Sequence, residues 1–185
     1  MTVSGLDVSE LRRHLHAHPE LSGKESETAR FIVNSLERYE PTFVVDRLGH
    51  MGTGVCAAFD SGLPGPTVLL RAELDALPIT EKNPFDYRST RPGVSHKCGH
   101  DGHMATLVAV AQSLHARPVE QGCVYLLFQP AEETGTGAKA VIEDDRFQAL
   151  RPPDFVYAFH NVPKYPMGQV LVRDGVVAQG SVGFI

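Results

Sequence analysis

Six consecutive residues, Cys98-Gly99-His100-Asp101-Gly102-His103, bring a thiol, two imidazoles and a carboxylate near one point of the chain. Thiolate and imidazole are the side chains that bind a borderline-soft divalent ion such as zinc. Cys98 and His100 stand two apart, so an extended or turning backbone lets both face one side. A lone cysteine is usually a small buried hydrophobe. The cluster makes ligation the stronger reading, and residues further along the chain decide it.

Three apolar runs carry the rest of the chemistry at their ends. Residues 67–72, 123–128 and 155–159 each read as a strand buried on both faces of a parallel sheet. Glu73 and Asp75 follow the first run, Glu132 and Glu133 follow the second, and His160 closes the third. In an open parallel sheet those ends form the crevice where ligands bind. Hydrolysing an amide needs an activated water and a stabilised tetrahedral oxyanion, and two divalent ions ~3.5–4 Å apart supply both. A ligand that bridges them must be anionic, and a thiolate or a carboxylate serves. A neighbouring glutamate then takes the proton of water and passes it to the leaving amine. The adjacent Glu132 and Glu133 can divide this labour, one as base and one as ligand. Asp75 can orient a metal-bound imidazole.

Periodicity supplies the elements that hold these groups. Val8, Leu11 and Leu15 define a helix over 8–18 that stops at Pro19. Ser22 and Glu25 have the spacing of a capping box, opening a helix to about Tyr39 with Ala29, Ile32, Val33 and Leu36 inward. Short strands are predicted over 42–45 and 53–59, a turn over 61–66, a helix over 101–116 and a short helix over 136–143. Further strands are expected over 169–173 and 181–185. The alternation predicts an α/β fold, a mainly parallel sheet with helices on both faces.

Bulk properties exclude several classes. The 185 residues, 42% hydrophobic and 21% charged, suit one globular domain with a real core. A net charge of −5, with no basic run interleaved with aromatics, argues against a nucleic-acid partner. No apolar run approaches the ~18 residues of a membrane span. The first residues lack the basic and apolar regions of a signal peptide, and three scattered cysteines suit a reducing compartment, so a cytoplasmic location is expected.

Four ordered motifs then carry a resemblance. They are Leu70-Arg71-Ala72-Glu73-Leu74-Asp75-Ala76-Leu77-Pro78, the Cys98–His103 cluster, Gln129-Pro130-Ala131-Glu132-Glu133 and Phe159-His160-Asn161. Together with Leu15-His16-Ala17-His18-Pro19-Glu20-Leu21 they resemble the amidohydrolase branch of the dinuclear zinc aminopeptidase and carboxypeptidase superfamily. That branch includes hippurate hydrolases, N-acyl-amino-acid deacetylases and auxin-conjugate hydrolases. The resemblance implies metal-dependent hydrolysis of the amide bond of N-acyl amino acids, with two divalent ions (zinc, manganese or cobalt). It makes Cys98 the bridging ligand, His100, Glu133 and His160 further ligands, Glu132 the general base and acid, and Asp75 the supporting carboxylate. His103 and Asp101 receive no ligand role. Glu73 stands where more distant relatives carry a metal-binding histidine.

Members of that branch are roughly twice as long and carry a lid and dimerisation domain, then one more metal-binding histidine. By that resemblance residues 1–180 correspond to the N-terminal part of the catalytic domain, and 181–185 to the entry into the lid. Homodimers are expected for the longer family form. Two other readings compete. One makes Cys98 a nucleophile with His100 or His103 as its base, which leaves Glu132, Glu133 and His160 unexplained. The other is a truncated, non-catalytic metal-binding or interaction fragment of such an enzyme.

Overall fold

The computed structural model describes residues 7–172 and 174–175. Its strands are β1 (Phe43–Leu48), β2 (Gly54–Asp60), β3 (Thr67–Glu73), β4 (Cys123–Gln129) and β5 (Phe155–Ala158). Its α-helices are α1 (Val8–Ala17), α2 (Ser26–Leu36), α3 (His100–Ala116), α4 (Gly137–Ile142) and α5 (Asp145–Gln148). The sheet order is β1-β2-β4-β3-β5. β3 pairs in parallel with both β4 and β5, while β2 is antiparallel to both β1 and β4. Four strands therefore point one way and β2 alone runs against them, which makes the sheet mixed but mainly parallel in direction.

The apolar runs are explained by cover on both faces. Along β2, Val55, Ala57 and Phe59 face one core with Leu126 and Phe128 of β4. Helices α1, α2 and α3 close that side with Leu11, Leu15, Ile32, Leu36, Met104, Leu107 and Val108. Cys56 and Ala58 face the opposite side, where Leu69, Tyr125 and Leu127 pack with Val141 of α4 and with Phe147 and Leu150. This is the α/β layering expected from the alternation, with α5 as a short addition that the sequence pattern did not announce.

Three expectations need correction. Ser22 is not a helix cap: α2 begins at Ser26 with Glu25 before it and no side-chain cap bond. The Ser22 hydroxyl instead donates to Asp75 Oδ2 at 2.6 Å. Glu25, fully buried, accepts from Gly23 N, Thr53 Oγ1 and Ala131 N, each at 2.8 Å. The third apolar run does form a strand, but β5 is an edge strand exposed along its length, because no element of the described residues covers either of its faces. Residues 169–172 form no strand and are exposed, while Arg173 and 181–185 lie outside the described residues. Among the described residues, no helix is long and apolar enough to cross a membrane.

A buried charged cluster fixes the start of α3 against α1. His16 Nδ1 lies 2.7 Å from Asp101 Oδ2, and its Nε2 lies 3.1 Å from both oxygens of Glu81. Arg12 Nε reaches Asp101 at 2.8 Å, and Lys97 pairs with Glu81. Hydrogen bonding to Asp101 raises the His16 pKa above its ordinary 6.5, with burial opposing and Glu81 adding to the rise. Burial acts upward on Glu81, but Lys97, the Ser89 N–H, His16 and Asn83 hold it down at about 2. A raised histidine pKa contributes stability that is fully present below the unfolded value and lost as pH rises through the folded one. His16→Gln should therefore cost about 3 kcal/mol near pH 5.5 and less near pH 8.5. Urea unfolding of both proteins at the two pH values reads this directly, and comparison with the variant largely cancels the opposing contribution of the neighbouring buried His96. An equal loss at both pH values would show that the fold does not raise the His16 pKa.

The second prediction concerns Glu25. Replacing it with alanine strands three buried donors, so Glu25→Ala should lower stability by about 3 kcal/mol in denaturant titration. A loss below about 1 kcal/mol would mean that water replaces the carboxylate.

Candidate metal centre

The parallel pairing of β3 with β4 places their C-terminal ends side by side, with Glu73 opposite Gln129. β3 continues into Leu74 and Asp75, and the Leu74 N–H donates to the Gln129 carbonyl at 2.9 Å. After β4, Ala131 takes a positive φ of 47°, rare for a residue with a Cβ. Glu25 holds this turn by accepting from the Ala131 N–H. The strained turn swings Glu132 and Glu133 back toward α3. Asp75 Oδ2 accepts from the Glu133 N–H at 3.0 Å, locking the two strand ends together.

Helix α3 brings the imidazole. Gly99 precedes it at φ 97°, so the chain turns sharply between Cys98 and His100. His100 is 1% exposed, and its Nδ1 lies 2.8 Å from the Asp75 carbonyl and 3.5 Å from Asp75 Oδ1. A carbonyl accepts only, so Nδ1 carries a proton, and in the neutral imidazole the Nε2 lone pair is then free. Nε2 points at the acidic pair: Glu132 Oε2 and Glu133 Oε1 each lie 3.8 Å from it. His160, after β5, repeats the arrangement. Its Nδ1 donates to the Asn161 carbonyl at 2.8 Å, and its Nε2 lies 3.2 Å from Cys98 Sγ.

The structure thus brings together Cys98, His100, Glu132, Glu133 and His160, with Asp75 against His100, whereas Asp101 of the same cluster turns away to His16 and Arg12. The ligand atoms of Cys98, His100 and His160 lie within 4.8 Å of one another, as do those of His100, Glu132 and Glu133, and His100 belongs to both sets. A third set, Glu73, His100 and His103, shares the same limit. The sequence reading gave His103 no role and missed Ser22, Glu25 and Arg71. Arg71 Nη2 sits 3.0 Å from Glu73 and 4.0 Å from Glu132, tying the two acids at the mouth of the site. A basic residue inside an apolar strand was the available signal for Arg71.

Electrostatics and satisfaction show what the site is built to hold. Burial acts upward on Asp75, but His100, Ser22 and the N–H groups of Glu133 and Glu132 outweigh it and keep its pKa low. Burial pushes Glu133 up, with Glu132 and Asp75 adding to the rise and His100 opposing it. Burial, then Glu133, Glu132 and Glu73, push the Cys98 thiol up to about 12. Among the described residues His100 Nε2, Glu133 Oε1 and Asp75 Oδ1 are buried without a hydrogen-bond partner. Buried polar atoms are normally satisfied. The orphaned His100 Nε2 and Glu133 Oε1, beside Cys98, Glu132 and His160, form a donor set that a divalent cation would satisfy.

Residues 69–177 match peptidase family M20/M25/M40, a stretch that is more than half of the chain and spans the site from Arg71 to Asn161. The chain belongs to that family. It is 42% identical over 166 residues to an N-acetyl-L-cysteine deacetylase of Bacillus subtilis (strain 168), covering 89% of this chain and 38% of the relative. It is 31% identical over 176 residues to an N-acetyldiaminopimelate deacetylase of Lactobacillus helveticus (strain DPC 4571), covering 95% of this chain and 46% of the relative. Its fold superposes on the Bacillus subtilis YXEP protein, described as a dinuclear metal binding peptidase from the M20 family. That match has a TM-score of 0.78 and 37% identity, covering 86% of this chain and 43% of the other. The chain spans less than half the length of these relatives.

Proposed function

We propose that this chain holds most of the catalytic centre of a metal-dependent amidohydrolase acting on the amide bond of N-acyl amino acids. The observation that carries the reading is the pair of orphaned buried atoms, His100 Nε2 and Glu133 Oε1, 3.8 Å apart beside Cys98 and His160. The named activities of the two deacetylase relatives support the substrate class. By this reading Cys98, His100, Glu133 and His160 would hold two divalent ions, with the Cys98 thiolate as the ligand that both could share. When bound, such ions polarise the amide carbonyl and lower the pKa of water.

The residues divide the work by environment. Glu132, with its side chain 38% exposed, is the more open of the acidic pair and can meet a solvent water. It takes the proton of the attacking water and returns it to the amine nitrogen as the amide bond breaks. Arg71 steadies that carboxylate from the β3 side. Glu133, more buried and with one unpartnered oxygen, is the ligand of the two. Asp75 holds the His100 tautomer through its carbonyl and receives Ser22 and the Glu133 N–H on its carboxylate. Residues 1–180 are read as the N-terminal part of the catalytic domain, and 181–185 as the approach to a lid domain. Homodimerisation is proposed for the longer family form only.

A second reading, a metal-binding chain without turnover, is favoured by one observation. Phe155, Val156 and Tyr157 of β5 are more than half exposed beside His160, so this side of the site is open to solvent. Two measurements separate the readings. Zinc or cobalt titration of the purified chain should reach two equivalents. Hydrolysis of N-acetyl amino acids should then follow metal content, stop in chelator, and fall ~10²–10⁴-fold in Glu132→Gln with metal binding retained. Metal uptake without turnover would select the second reading. Turnover that survives chelator, or Glu132→Gln, would sink the first.

A further inference from the structure

Glu73, His103 and Asn161 have no part in the chemistry above, yet they form one connected path to it. His103 of α3 is 3% exposed, and its Nδ1 lies 2.7 Å from Glu73 Oε2. The other Glu73 oxygen takes Arg71 Nη2 at 3.0 Å. On the far side of the ring, His103 Nε2 lies 2.8 Å from Asn161 Oδ1. The Asn161 carbonyl in turn accepts from His160 Nδ1, which aims His160 Nε2 at Cys98 Sγ. His103 also packs edge-on against Phe159 and His160, with ring centroids 5.1 and 4.9 Å away.

We propose that His103, held by Glu73, is a positioning residue for His160 and acts through Asn161. The inference rests on the metal reading of His160 and adds a function for the one histidine of the cluster left without a role. Both nitrogens of His103 are engaged, so it offers no lone pair as a ligand despite its nearness to His100. The need for such a tie follows from the fold. β5 is an exposed edge strand, and among the described residues after it the hydrogen bonds to the body run through His160 and Asn161. Without the His103 tie, His160 would hang from a short uncovered strand with its ring free to turn. Gly99 belongs to the same device. A Cβ at that position would stand 2.3 Å from Asn161 Oδ1, so only glycine leaves the amide its place.

The test uses the whole chain with cobalt and zinc as probes. Cobalt binding is followed by its thiolate charge-transfer band and by stoichiometry, and zinc affinity by competition with a chelating dye. Asn161→Ala removes the side-chain tie from an exposed segment without touching the core, leaving only the longer 3.4 Å contact of the backbone N–H, and His103→Gln removes the tie from the buried side. Both should weaken the more weakly held ion ~10–100-fold, while saturating cobalt still shows the thiolate band and the unmodified stoichiometry. The double variant should be no weaker than the worse single one, because both cut the same path. Asn161→Asp keeps an acceptor oxygen toward His103 and should recover most of the affinity. Unchanged affinity in Asn161→Ala would overturn the proposal even if His103→Gln fails to fold. Loss of a whole equivalent of cobalt in His103→Gln alone would make His103 a ligand and overturn it too. Failure of the unmodified chain to take up metal would instead remove the metal reading on which it rests.

Discussion

The parallel register of β3 against β4, from Thr67 opposite Cys123 to Glu73 opposite Gln129, sets the distance between two acidic strand ends. A slip of one residue would turn every side chain of a strand to the other face. Both faces here are buried against helices, so such a slip would expose one core and crowd the other. The register that satisfies both cores is also the one that lets Asp75 accept from the Glu133 N–H. Site geometry is thus inherited from core packing, and α3 completes it by docking His100 onto the Asp75 carbonyl.

Around this frame the protein buries an unusual number of carboxylates. Glu20 accepts from the backbone and hydroxyl of Thr28, Glu25 takes three donors, and Asp101 is held by His16 and Arg12. A buried carboxylate is costly unless its oxygens are met. Glu20 and Glu25 meet that condition, Asp101 meets it at Oδ2 only, its Oδ1 being left without a partner, and each ties one end of a helix or turn to a neighbour. Glu133 Oε1 and His100 Nε2 do not meet it. On the proposed metal reading those two atoms would face an ion, whereas the bracing by Glu20 and Glu25 holds the frame. It also accounts for the Ala131 turn, whose positive φ is maintained by the Glu25 carboxylate rather than by a glycine.

The two sides of the site are built differently. His100, Glu133 and Asp75 belong to a frame braced from both cores. Cys98 and His160 meet on the side of β5, where Tyr157 and Phe159 are exposed. Order on that side depends on few contacts, and the path from Glu73 through His103 to Asn161 supplies them. On the proposed metal reading the deeper ligands stand beside the central strands and the outer one beside the sheet's edge.

Much of this was legible in the residues alone. The order Glu73, Asp75, Cys98, His100, Glu132, Glu133, His160 and the double-sided apolar runs gave the α/β layering and the set of chemical groups. Ligand types and strand periodicity are local properties, written in side-chain chemistry and in spacing. The roles of Ser22, Glu25 and His103 were not legible, because each depends on a partner far along the chain. Ser22 reads as a cap until Asp75, 53 residues away, is seen to take its hydroxyl. Exposure of β5 was equally hidden, since an apolar run reports that a strand wants cover, not whether another element is present to provide it. The sequence by itself determined which atoms can bind a metal. The tertiary structure decided which of them are left without partners, because satisfaction of a buried polar atom is a property of its neighbours in space.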